Sequence, residues 1–171
     1  MQTFLPLPGF TASARALDRR RLGTQRVEAL QVLRALLGPD HGPRDHPVVA
    51  MWAGYEEALT RYGLDVCAVW TDAGGADLCA GKLRDRLRTA LGPAQPRTQA
   101  ELAAAGELPP WLGSASFHLS HQSALVWKDP RYYRKRFPSV PDDLPYVWPA
   151  SDRPWRVPGA LGSRPWGLHG N

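Results

Sequence analysis

Arg21, Gln25 and Glu28 follow one another at spacings of four and three residues. On a helix that places a cation, an amide and a carboxylate on one face. A carboxylate held beside fixed cations is available for electrostatic or proton-transfer work. Asp18, Gln25 and Arg26 also project within about 60° of the centre of the apolar stripe formed by Leu22, Ala29, Leu30, Leu33, Leu36 and Leu37. Polar groups therefore occupy the N-terminal end of a seam that ought to be buried, and that end is a candidate site. The same spacings fit ordinary i,i+4 pairs and capping groups on a partly exposed helix, so spacing alone leaves both readings open.

The elements that must position these residues are helices. Residues 15–37 read as one amphipathic helix, followed by a loop at Gly38-Pro39-Asp40-His41-Gly42-Pro43. Pro47 opens a second helix with Asp45 or His46 as its cap, and Gly63 is expected to end it. Further helices are expected over 64–73, 76–91, 114–128 and from Pro130 onward, with a short one over 98–105. No stretch alternates with period two for long enough to make a strand, so the fold class is all-α. From residue 138 the chain changes character, holding seven of the 17 prolines and three of the seven tryptophans, which forbids long helices there. The expected organisation is a helical domain over 1–149 and a Pro/Gly-rich tail over 150–171, with about 158–171 loosely held.

Composition narrows the function. The chain has 171 residues, enough for one domain with a real core. Its two cysteines, Cys67 and Cys79, are too few for a disulfide framework and read as free thiols of a reducing cytosol. Residues 1–10 lack a basic stretch and are broken by Pro6 and Pro8, and no apolar run approaches spanning length, so neither a leader nor a membrane anchor is expected and the location should be cytoplasmic. The net charge is +5, and the 21 basic residues are unevenly placed. Residues 1–44 hold seven Arg against three acids, and residues 128–136 hold five Lys/Arg against Asp129. Two basic patches around a near-neutral middle are the footprint of a nucleic-acid binder.

Leu-Asp-Arg-Arg-Arg-Leu-Gly-Thr-Gln-Arg-Val-Glu at 17–28, the extended N-terminus, Gly-Pro-Arg-Asp-His-Pro at 42–47 and the aromatic-basic segment near the C-terminus together resemble the pyrimidine-dimer DNA glycosylase family, the endonuclease V-like proteins. The likeness is closest to a bacterial subgroup with Asp-Asp-Leu-Pro-Tyr-Val-Trp-Pro, found here at 142–149. It implies an all-helical protein that acts on double-stranded DNA without metal or cofactor. It further implies that the N-terminal amine attacks C1′ of a damaged nucleotide, displaces the base and forms a Schiff base, after which β-elimination cuts the strand. Glu28 matches the assisting glutamate, and Arg26 and Arg21 fall near its basic partners. Because Gln2 is bulky, Met1 is expected to stay in place and to supply the amine. An α-amino group titrates near 8 in ordinary peptides, far below a lysine, which suits it to nucleophilic attack near neutrality.

The DNA-contacting set expected around Met1 and Glu28 comprises Gln2, the run Arg19, Arg20 and Arg21, then Gln25, Arg26, Arg44 and His46. His118 and His121, one helical turn apart, lack a metal-binding pattern and should donate to DNA phosphates or join a structural polar network. Lys128 and Tyr132 begin a run in which cations interleave with rings, suited to backbone tracking and base stacking, or equally to a core with a solvated rim. Two functions of different class fit: a monomeric damage-specific glycosylase with lyase activity, and a non-catalytic nucleic-acid-binding module.

Overall fold

A computed structural model describes residues 1–38, 45–92 and 95–154. Eight helices and no strand occur among the described residues: α1 (Phe10–Ala16), α2 (Arg19–Leu37), α3 (Pro47–Ala50), α4 (Glu56–Asp72), α5 (Cys79–Leu91), α6 (Gln99–Ala104), α7 (Ala115–Lys128) and α8 (Pro130–Tyr133). α2 lies against α3, α4 and α5, and α1 against α4. Trp52, Tyr62, Phe10, Phe117 and Tyr133 fill the core between these helices and the N-terminal segment.

The helix expected over 15–37 is two helices. Leu17 and Asp18 are extended, and the Asp18 carboxylate accepts from the Arg21 N–H at 3.0 Å, capping α2. Aspartate competes for free amides at a helix start better than it propagates a helix. The Tyr133 hydroxyl of α8 fixes the break, accepting from the Asp18 N–H at 3.0 Å and donating to its Oδ2 at 2.6 Å.

Gly63 does not end a helix but sits inside α4. A Cβ there would lie 2.8 Å from Leu83 of α5 and 3.2 Å from Ala29 of α2, so the glycine is where three helices approach one another. The expected pair of helices around it becomes the short α3, capped by His46 as anticipated, and the long α4. Gly54, between them, has φ of +76° and would place a Cβ 2.4 Å from Arg153, so glycine is required where residues 151–154 cross the helices. Those residues are tied down: the Ser151 hydroxyl donates to Ala53 C=O, and Tyr55 donates to Asp152 at 2.6 Å. Residues beyond 154, including the segment expected to be loosely held, lie outside the described residues.

α7 holds both non-helical ends of the described chain. Its Ser123 and Ser120 hydroxyls accept from the Leu144 and Val147 N–H groups at 3.0 and 3.1 Å, while His118, His121 and Gln122 bind the backbone at Leu5 and Pro6.

Candidate active site

An open cleft of about 680 Å³ lies at the N-terminal end of α2. Met1, Gln2 and Phe4 form its floor, Arg20, Arg21, Thr24, Gln25 and Glu28 of α2 one wall, and His46, Trp127, Lys128, Tyr146 and Trp148 the remainder. α2 presents the wall because positions 21, 24, 25 and 28 recur at helical spacing, and the N-terminal segment reaches the floor because Gln25 holds it there. The Gln25 side chain is 1 % exposed. Its Oε1 accepts from the Phe4 N–H at 2.7 Å and from the Tyr62 hydroxyl at 2.6 Å, and its Nε2 donates to Gln2 C=O at 2.9 Å and to Glu28 Oε2 at 2.5 Å.

Glu28 is the half-buried carboxylate of the wall. Burial raises its carboxyl above the ordinary range and outweighs the N-terminal amine, the Gln2 N–H, the Gln25 amide and Lys128, all of which favour the charged form. His46, lowered by burial and by the same amine, therefore shares the electrostatic neighbourhood of Met1 with Glu28. Tyr146 is raised by burial, in spite of a hydrogen bond with the Gln2 side chain and the charge of Arg21. The N-terminal amine, a carboxylate that burial moves toward neutrality and a rim of cations thus share one solvent-open site. Such a set can move a proton and receive a phosphate-bearing ligand.

Eight of the residues singled out from sequence meet here: Met1, Gln2, Arg20, Arg21, Gln25, Glu28, His46 and Lys128. Arg21 also pairs with Asp18 at 2.6 Å. The others lie elsewhere. Arg19 stacks on Trp70 at 4.9 Å and donates to Ala73 C=O. Arg26 stacks on the same ring at 4.4 Å and pairs with Asp77 at 2.6 Å, on the side of α2 away from the cleft. His118 and His121 are buried against the N-terminal segment. The Tyr132 ring packs on Tyr133 and carries Arg136 at 4.9 Å. Arg44 falls outside the described residues. No group of three His, Cys, Asp or Glu side chains suited to a metal ion occurs among the described residues.

Besides Phe4 on the floor, three lining aromatics escaped the sequence reading. Trp127 is 68 % exposed, Trp148 is 39 % exposed, and Tyr146 lies 5.2 Å from the Trp148 ring. The signals were present: Trp127 immediately precedes a lysine at the end of α7, and Tyr146 and Trp148 belong to Asp-Asp-Leu-Pro-Tyr-Val-Trp-Pro. The Trp127 ring carries the Lys128 ammonium at 5.5 Å, and the Tyr146 and Trp148 rings pack on each other beside it.

Residues 1–78 match the sequence profile of a family described as pyrimidine dimer DNA glycosylase. That span carries the N-terminal segment, α1 to α4 and the whole α2 wall. No curated protein and no solved structure matches the chain. None of the helices of the described residues is long and apolar enough to cross a membrane.

Proposed function

We propose, from the match of residues 1–78 to the pyrimidine dimer DNA glycosylase family, that the chain excises a damaged pyrimidine from double-stranded DNA and then cuts the strand, with the Met1 amine as nucleophile. The observation that carries this reading is the Met1 amine beside a burial-raised Glu28 carboxyl in an open cleft. The amine's lone pair attacks C1′, and the electrons of the glycosidic bond leave with the base, which takes up a proton from the water that fills the open cleft. Glu28 accepts the proton that the amine loses. As the C1′–O4′ bond opens, the nitrogen lone pair forms the C=N bond of the Schiff base and O4′ is protonated by the Glu28 carboxylic acid. The Glu28 carboxylate, regenerated by that transfer, then takes a proton from C2′, and the C2′–H electrons form the C2′=C3′ bond as the 3′ phosphate leaves with the C3′–O3′ bonding electrons. Water finally hydrolyses the imine and frees the amine.

Arg20, Arg21 and Lys128 are placed to receive the phosphates on either side of the nucleotide, because guanidinium and ammonium groups on a cleft rim neutralise backbone charge. Trp127 and Trp148 offer faces for an unstacked base. The chain acts as a monomer in this reading, since one cleft holds the nucleophile, the proton carrier and the rim.

Borohydride decides between this reading and a binding module without chemistry. It reduces a Schiff base to a stable secondary amine, so the wild-type chain should become covalently joined to UV-irradiated or abasic duplex DNA, and acetylation of the α-amine should abolish the adduct. A wild-type chain that binds such DNA but is never trapped makes the binding module the correct reading.

A further inference from the structure

Phe4 and Leu5 belong to no helix or strand, yet all four of their backbone polar groups are hydrogen-bonded to side chains. The Phe4 N–H donates to Gln25 at 2.7 Å, and its C=O lies 3.0 Å from the Tyr62 hydroxyl, whose single proton it shares with Gln25 Oε1. The Leu5 N–H donates to His121 Nδ1 at 3.1 Å, and its C=O accepts from His118 Nδ1 at 2.8 Å. A buried extended segment ordinarily obtains these bonds from a neighbouring strand.

The two histidines do this in opposite tautomers. His118 Nε2 accepts from the Gly113 N–H at 2.9 Å, which puts its proton on Nδ1, facing Leu5 C=O. His121 Nδ1 accepts, which puts its proton on Nε2, and that atom is buried without a hydrogen-bond partner among the described residues. Packing alone does not explain a histidine there, because an apolar side chain would fill the space without burying an unpaired ring N–H; what the histidine adds is an acceptor for the Leu5 N–H. Burial, with His118 beside it, pushes His121 down to about 3, so it remains an acceptor throughout the neutral range. The pair also fixes register. A slip that moved the following residue into the place of Leu5 would bring Pro6, which has no N–H, opposite His121 Nδ1.

We propose that His118 and His121, acting with Gln25, are positioning residues that hold the N-terminal amine at the Glu28 carboxylate by clamping the backbone at Phe4 and Leu5. The clamp's purpose rests on the glycosylase reading, whereas its existence does not. Gln25 joins the two, since its amide bonds both Gln2 C=O and Glu28. Displacing a reacting group by about 1 Å costs on the order of 100-fold in rate.

The test compares the full-length wild type with His121→Leu, which removes the acceptor, and His121→Asn, whose carbonyl can replace Nδ1. Amide hydrogen exchange at Leu5 reads the clamp. Single-turnover borohydride trapping on abasic duplex DNA at saturating protein reads the amine, and DNA affinity is measured beside it. Expected are faster Leu5 exchange and about 100-fold slower trapping in His121→Leu, with unchanged DNA affinity and substantial recovery in His121→Asn. Unchanged exchange, unchanged trapping, or an asparagine variant no better than the leucine variant overturns the proposal. If His121→Leu does not fold, Gln25→Met carries the same comparison at the Phe4 amide. A wild-type chain that is never trapped removes the glycosylase reading, and the exchange rates then decide the clamp by themselves.

Discussion

The two faces of α2 use the same residue types to opposite ends. On the side facing α5, Arg26 is sandwiched between the Trp70 ring and the Asp77 carboxylate, with only 14 % and 5 % of the paired side chains exposed. On the cleft side, Arg20 is exposed and its guanidinium has no partner among the described residues. The carboxylates diverge in the same way. Burial would raise Asp77, but the Ala80 N–H, Arg26 and the Cys79 N–H together hold it below the ordinary range. For Glu28, burial wins. A charge whose partners are complete contributes to the fold, and a charge left short of partners is what a ligand can use.

Substituting across this divide should separate activity from stability. The largest effect is expected for Glu28→Gln, which keeps the shape and removes the proton carrier: strand cleavage should fall by about 10²–10⁴ while DNA affinity is retained. A carboxyl raised in the folded state stabilises the protein below its ordinary value and loses that contribution as pH rises through its folded value. Glu28→Gln should therefore unfold at a higher temperature than the wild type at pH 7, with the difference closing below about pH 4.5. Thermal melts across this range check the sign, and full cleavage by the variant removes Glu28 from the mechanism.

Asp77→Ala should do the reverse. It strands Arg26 and removes the acceptor for the Ala80 and Cys79 amides at the start of α5, costing about 3 kcal/mol in urea denaturation. Because Asp77 is lowered, its contribution is present above pH 3.8 and disappears as pH falls through its folded value, so the deficit should vanish in strong acid. Cleavage per folded molecule should not change.

The smallest effect separates Arg20 from Arg26. Arg20→Ala should leave the melting temperature alone and reduce the slope of log Kd against log salt by about 0.9 on duplex DNA, the loss of one phosphate contact. Arg26→Ala should leave that slope unchanged. Equal slopes for the two variants would erase the distinction between the faces.

The cleft wall was legible in the sequence because it is local: Arg21, Gln25 and Glu28 share a face through helical spacing alone, and all three line the cleft. The fate of Arg26 was not, since Asp77 lies 51 residues away and a wheel gives a side chain's direction but not its partner. Asp18 and Gly63 misled for a related reason. Each residue type has two uses, cap or interior polar group, helix end or close approach, and the choice was made by Tyr133 in one case and by Leu83 and Ala29 in the other. The N-terminal segment carried no periodicity at all, so nothing in it announced that side chains from two helices would supply its hydrogen bonds.

Those bonds also impose an order of events. Leu5 meets His118 and His121 across 113 and 116 residues of chain, whereas α4 and α5 follow α2 closely and meet it early. Contacts closing such long loops form late, because the chain entropy must be lost before the bonds repay it. On the ribosome, at ~5–20 residues per second, α7 is synthesised on the order of ten seconds after the segment it must grip. Phe4 and Leu5, made before the helices that grip them, are therefore among the last to reach their places, and the cleft floor completes itself only when a nearly finished helical body is there to receive it.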